Sequence, residues 1–64
     1  MPKRYTAYEL VKIVKDDGWF FVRQIGSHAQ YKHPTKKGTT TILMNKGIIN
    51  PKIVNSIFKQ AGLK

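Results

Sequence analysis

The chain has 64 residues, no cysteine and a formal net charge of +9 at neutral pH. A domain of this size buries only ~60% of the surface that its unfolded chain exposes, so function is expected on a surface or groove rather than in a deep pocket. The missing cysteines exclude a disulfide framework and a thiolate metal site. We find no apolar leader and no run of ~18 apolar residues, so we expect a cytoplasmic protein with a single domain over residues 1–64.

The charges are unevenly distributed along the chain. The only carboxylate side chains are those of Glu9, Asp16 and Asp17. A basic surface with no counter-charge of its own attracts a polyanion, and nucleic acid is the first candidate. A cationic surface that serves solubility alone is the competing interpretation. The cations from Gly18 onward are Arg23, Lys32, Lys36, Lys37, Lys46, Lys52, Lys59 and Lys64.

The first predicted element is a helix over residues 7–17. Thr6 stands three residues before Glu9, which is the spacing of a capping box. Apolar residues then recur at helical spacing through residues 10–14. Gly18 suits the left-handed position that often follows the last helical turn.

Three strands are predicted next. The segment "WFFVRQ" at 19–24 is aromatic and β-branched, and "HAQYKH" at 28–33 follows it after the turn "IGS". The segment "TTTILM" at 39–44 is rich in β-branched residues and follows a loop that contains Pro34 and Gly38. Short loops between successive strands predict an antiparallel meander. Both faces of the first strand carry apolar residues, so alternation alone leaves its buried face undecided.

A second helix is predicted over residues 51–61. Asn50 is placed to act as its N-cap and Pro51 to occupy its first position, where a missing N–H does no harm. The resulting order is α-β-β-β-α, an α+β fold with a three-stranded antiparallel sheet. Two amphipathic helices can cover only one face of such a sheet, so the other face should stay at least partly open.

The shortage of acidic residues narrows the possible chemistry. Two-metal nucleases need several converging carboxylates, so we expect neither a metal nor a cofactor here. Ser27 and His28 are neighbours, and neighbouring strand residues point to opposite faces, which argues against a serine nucleophile activated by this histidine. RNA supplies its own nucleophile, the 2′-hydroxyl. Its cleavage needs a general base, a proton donor and cations around the phosphorane.

Histidine is the side chain with an unperturbed pKa near working pH, and the chain has two of them. Alternation along a regular strand separates them. His28 falls with polar and basic residues and is the candidate acid–base group, with a purely structural role as the alternative. His33 falls with residues typical of a core and is expected to be structural. The two predicted faces are His28, Gln30 and Lys32 on one side and Ala29, Tyr31 and His33 on the other.

Four segments together resemble the HicA family of toxins. They are "GW" at 18–19, "RQIGSH" at 23–28, "YKHP" at 31–34 and "IFKQAGL" at 57–63. The resemblance implies a double-stranded-RNA-binding-domain-like fold, which agrees with the predicted element order. It also implies a ribonuclease toxin that cleaves mRNA, uses His28 as its catalytic histidine and is held inactive by a HicB-type antitoxin.

The partner surfaces follow from charge and from this resemblance. We expect RNA to contact the basic residues near His28, and we expect the antitoxin to be acidic where it covers the same surface. The predicted RNA-binding residues are Arg23, Gln24, Ser27, Lys32, Lys36 and Lys37.

The sequence departs from the family pattern in one place. Many relatives carry a proline and a second histidine near the end of the third strand, where this chain has Met44 and Asn45. No metal or second acid–base role can be assigned there. Three sources of the leaving-group proton therefore stay open: a cation, water, or His28 after it has acted as base.

Two other classes of function remain as alternatives. A passive double-stranded-RNA-binding module usually has a lysine cluster at the start of its second helix, where this chain offers only Lys52 after the N-cap Asn50. A domain that binds only proteins would need an exposed apolar anchor, which Trp19, Phe20 or Phe21 could supply. Core packing is the more ordinary role for these rings.

Overall fold

The structure, a computed structural model, describes residues 4–44 and 47–63 as two helices packed on antiparallel β-structure. The strands β2, β3 and β4 form one sheet in that order, and β1 pairs with β5 in a separate two-stranded sheet. The elements are β1 (Tyr5–Thr6), α1 (Ala7–Asp16), β2 (Phe20–Ile25), β3 (His28–Lys32), β4 (Thr40–Leu43), β5 (Ile48–Ile49) and α2 (Pro51–Gln60). The predicted α-β-β-β-α order is confirmed, and the short β1–β5 pair is an addition to it.

The helix ends confirm the predicted capping signals. Glu9 N donates to Thr6 Oγ1 at 3.3 Å, and Thr6 N donates to Glu9 Oε1 at 3.0 Å, so both halves of the capping box are formed. At the start of α2, Asn50 Oδ1 accepts from Lys52 N at 2.8 Å. Each bond satisfies a backbone donor that the helix itself leaves unpaired.

The end of α1 shifts one predicted boundary. Gly18 has φ +107°, as expected for the residue that reverses the chain after a helix. Trp19 N then donates to Val14 O at 3.0 Å, so the backbone of Trp19 closes the helix rather than opening the strand. The strand β2, which is the first of the three predicted strands, therefore begins at Phe20 instead of the predicted residue 19.

One face of the three-stranded sheet forms the core with the two helices. Ala29 and Tyr31 on β3 and Ile42 on β4 are buried, which confirms the predicted inner face of the second strand. Trp19, at 2% exposure, is also a core residue. Because both helices pack on this side, the opposite face of the sheet is open. The helix residues that complete the core are Ala7, Leu10, Val14, Val54, Ile57 and Ala61.

A β-bulge in β2 decides which of its side chains lie on the open face. Phe21 pairs with Tyr31 and Arg23 pairs with Gln30, so Val22 is an extra residue between them. The bulge shifts the alternation by one residue, so Val22 and Arg23 lie on the same side of this edge strand, whose six residues are all exposed. The pairing register places Phe20, Arg23 and Ile25 on the open face of β2. Val22 lies on the same face, because it lines one surface depression together with Arg23 and Lys32.

His33 anchors the loop that follows β3. Its Nδ1 accepts hydrogen bonds from Thr35 N and Lys36 N, both at 3.1 Å. Its Nε2 lies 2.8 Å from Asp17 O, and since Nδ1 is the acceptor, Nε2 carries the proton and donates to that carbonyl. The ring also packs edge-on against Trp19 at 5.3 Å. These contacts give His33 the structural role predicted for it.

Gly18→Ala is expected to destabilise the fold more than Gly38→Ala. Both glycines have positive φ, +107° and +86°, so each alanine carries a backbone cost of ~1–2 kcal/mol. A Cβ at Gly18 would lie 2.7 Å from His33 Nε2, whereas a Cβ at Gly38 meets nothing within 4 Å. Displacing the His33 ring breaks its bond to Asp17 and adds ~1–3 kcal/mol. Urea unfolding of the two variants measures the difference, and equal losses would contradict the role given to His33.

Candidate functional site

His28 stands on the open face of the sheet at the start of its middle strand. Ile25 on β2 and Leu43 on β4 are its register partners. Gly26, at φ +59°, makes the tight turn before it, and Ser27 O accepts from Met44 N at 2.6 Å, which ties the turn to the end of β4. The backbone of His28 is thus held from both sides.

The imidazole of His28 is exposed, in contrast to that of His33. Among the residues that the structure describes, none donates a hydrogen bond to the His28 ring or accepts one from it. Both ring nitrogens are therefore available to a ligand on the open face. A fixed backbone with a free imidazole meets the geometric requirement for a general acid or base.

Arg23 and Gln30 form the next cross-strand pair along the open face. Arg23 Nε donates to Gln30 Oε1 at 3.1 Å, which orients the guanidinium and leaves its two terminal amino groups for another acceptor. Gln30 follows His28 by two positions along β3, a distance of ~7 Å. An oriented cation therefore lies on the same face as the imidazole of His28, in the next open-face pair along the sheet.

A shallow depression of about 310 Å³ continues the open face beyond this pair. That volume is at the lower end of the ~300–1,000 Å³ found for ligand sites, so it suits one small group. Lys32, at the end of β3, adds a second cation. The depression is lined by Val22, Arg23, Gln30, Lys32 and Thr39. The structure thus brings three predicted site residues, His28, Arg23 and Lys32, onto one face.

Gln24 and Ser27 are placed differently from these three residues. Gln24 pairs with Ala29, whose side chain faces the helices, so Gln24 lies on the opposite side of the sheet from His28. Its Nε2 donates to Gly26 O at 3.0 Å and braces the turn. Ser27 is half-buried in the turn itself. Both residues support the hairpin that carries His28, and direct RNA contact by either one stays a prediction.

Lys36 is held by two elements that lie far away in the sequence. Its Nζ pairs with the carboxylate of Asp17 and donates to Ala61 O at 3.0 Å. The ammonium lowers the pKa of Asp17, so the folded state binds that proton less tightly than the unfolded state does. This pair stabilises the fold at neutral pH, and the contribution is lost as the pH falls through the lowered pKa. Lys37 is exposed.

Three further observations bear on the type of site. In the described part of the chain, no three histidine, cysteine, aspartate or glutamate side chains gather closely enough to hold a metal ion. Neither described helix has the length and apolar character of a membrane span. Asn45, one of the two residues that depart from the family pattern, lies outside the described residues.

The comparison with known families agrees with this arrangement. A family model described as the HicA toxin of bacterial toxin-antitoxin matches residues 7–63. The chain belongs to the HicA toxin family. This HicA toxin therefore has the double-stranded-RNA-binding-domain-like fold of its family and is the toxin of a toxin–antitoxin system. A search of curated proteins finds no match.

Sequence reasoning did not identify the part that Gln30 plays in this HicA toxin. Alternation placed Gln30 on the polar face, but the bulge at Val22 left the face of Arg23 undetermined. Without the face of Arg23, its bond to Gln30 could not be foreseen. The depression that Val22 lines was hidden for the same reason.

Proposed function

We propose that this HicA toxin is a metal-independent endoribonuclease that cleaves mRNA with His28 as its general acid–base catalyst. The observation that carries the proposal is the exposed imidazole of His28 on an open face that also carries Arg23 and Lys32. Toxins of this family are generally ribonucleases. Histidine can exchange a proton near neutral pH without assistance from a metal.

The reaction uses the nucleophile that RNA already contains. His28 removes the proton of a 2′-hydroxyl, and that oxygen attacks the adjacent phosphorus. The bond from phosphorus to the 5′-oxygen breaks, which leaves a 2′,3′-cyclic phosphate and a free 5′-hydroxyl. Arg23, oriented by Gln30, lies one cross-strand pair away and can stabilise the charge of the phosphorane. The proton for the 5′-oxygen comes from a cation, from water, or from His28 itself.

A passive double-stranded-RNA-binding module is the weaker candidate. Its contacts would be expected at the start of α2, where Lys52 is exposed. The side chain of Asn50 already accepts the hydrogen bond of Lys52 N there, which occupies one of the amide groups that would bind a phosphate. No cluster of cations joins Lys52 in the described part of that helix, whose other cation is Lys59.

RNA is expected to be cleaved in the presence of EDTA, whereas DNA of the same sequence is expected to stay intact. A matched RNA with a single 2′-deoxy position at the cleaved bond should resist cutting there alone, because it lacks the nucleophile. Gel analysis of end-labelled substrates measures cleavage, and mass spectrometry identifies the cyclic phosphate. Cleavage of the deoxy bond, or loss of all activity in EDTA, would contradict the mechanism.

The partner of this nuclease is proposed to be a HicB-type antitoxin with an acidic contact surface. The family match supports an antitoxin partner. No carboxylate side chain follows Asp17 in the sequence, so the open face has no acidic residue of its own to oppose its cations. We propose that the toxin acts in the cytoplasm, because mRNA is abundant there.

A further inference from the structure

We propose that Phe20 is a base-stacking subsite for single-stranded RNA at the far end of the open face from His28. This inference rests on the proposed ribonuclease function, since it assigns the position of one substrate nucleotide. The site would take an unpaired base of any type, because every base offers a π-face to an aromatic ring. Lys32 beside the ring would contact the accompanying phosphate.

The sheet register places the ring of Phe20 on the substrate side. Phe20 pairs with Lys32, which lies on the same face of β3 as His28. The ring is 50% exposed, and among the described residues no aromatic ring packs against it. A large aromatic side chain on an open, basic face is therefore left without an aromatic stacking partner among the described residues.

Phe21 shows by contrast that exposure alone does not make such a site. It is also 50% exposed, but it lies on the other side of the sheet. Its ring packs edge-on against Tyr31 with the ring centres 5.7 Å apart. The two neighbouring phenylalanines thus have equal exposure and opposite faces, which provides a matched control within the chain.

The spacing along β3 fits a short single strand of RNA. His28, Gln30 and Lys32 follow one another on the open face at intervals of ~7 Å. Such an interval is similar to the separation of neighbouring phosphates in an extended strand. With the reacting phosphate at His28, the next phosphate would meet Arg23 and the following one Lys32. The base attached there would lie over Phe20.

The cations and the exposed ring together favour single-stranded RNA as the occupant of this subsite. Arg23 and Lys32 flank the depression beside Phe20, and no carboxylate side chain occurs in the sequence after Asp17. A polyanion with exposed bases satisfies the cations and the ring together. A duplex would not, since its bases are stacked on one another.

The test compares four proteins in binding a short 5′-labelled RNA that carries 2′-fluoro groups and so lacks the attacking hydroxyl. Fluorescence anisotropy gives the affinity. Phe20→Leu should weaken binding roughly 5- to 150-fold, the usual effect of losing one stacked base. Phe20→Tyr, which keeps the ring, and Phe21→Leu, which alters the opposite face, should bind like the wild type. Circular dichroism checks that each variant is folded.

Abasic substitutions in the oligonucleotide complete the test. Removal of the base that stacks on Phe20 should lower the affinity of the wild type for the oligonucleotide. The same removal should change the affinity of Phe20→Leu very little. The subsite would be overturned if Phe20→Leu binds RNA as tightly as the wild type does, including the case in which this variant loses only antitoxin binding. Equal losses of RNA affinity for Phe20→Leu and Phe21→Leu would also overturn it. Cleavage of ordinary RNA by the wild type is measured separately. If base-dependent binding through Phe20 is found without cleavage, the subsite stands and the proposed nuclease function fails.

Discussion

His28→Ala is expected to lower the rate of RNA cleavage by ~10²–10⁴-fold, the usual contribution of a general acid or base. The fold should be unaffected, because the imidazole is exposed and makes no hydrogen bond to the residues that the structure describes. Affinity for uncleavable RNA should change little, since Arg23 and Lys32 remain. The loss should therefore appear in the rate of the bound complex, measured in single-turnover cleavage assays.

His33→Ala is the matched control for this variant. It removes the same side chain from a position where the ring bonds Asp17 O, Thr35 N and Lys36 N. We expect a clear loss of stability in urea, with the activity per folded molecule retained. Added imidazole should partly restore cleavage by His28→Ala, because the vacated site is open to solvent. Full activity in His28→Ala would show that His28 is not the catalytic histidine. Imidazole rescue of His33→Ala alone would contradict the assignment in the same way.

The antitoxin complex is expected to have no measurable nuclease activity, because partner side chains cover His28, Arg23 and Lys32. The open face has only a shallow depression, so the surface of a partner protein can reach its side chains. No carboxylate side chain of the toxin itself lies on this face to neutralise its cations. Opposed charge should accelerate the encounter, whereas contacts buried around His28 should set the lifetime of the complex. Moderate salt should therefore slow formation more than it promotes dissociation.

Two charge reversals locate the covered surface. Arg23→Glu reverses the charge of a cation on the open face. Lys59→Glu makes the same change at an exposed position of α2, on the helical side of the sheet. Arg23→Glu should slow association with the antitoxin strongly, and Lys59→Glu should slow it only slightly. Chemical modification of His28 should be blocked in the complex. If His28 stays reactive in an inactive complex, inhibition does not act by covering the site.

Much of the fold could be predicted because its signals are local in the sequence. The capping box of Thr6 and Glu9, the N-cap Asn50 and Pro51 each act within one helical turn. Alternation along β3 likewise needs only adjacent residues, since a central strand with one buried face has a strongly specified register. These signals were sufficient to place His28 on the open face and the Tyr31 side chain in the core.

The surroundings of His28 were decided by tertiary contacts instead. The bulge at Val22 shifts the alternation of β2 by one residue, and such a shift moves each later side chain to the other face, Arg23 among them. Lys36 was expected to be free to bind RNA, yet it pairs with Asp17 and Ala61, 19 and 25 residues away in the sequence. The sequence by itself determined the two helices, the three strands of the larger sheet and the catalytic candidate, because those depend on neighbouring residues, whereas the β1–β5 pair joins distant segments. Only the folded chain decided which cations stand beside that candidate, because strand register and distant ion pairs depend on residues that folding brings together.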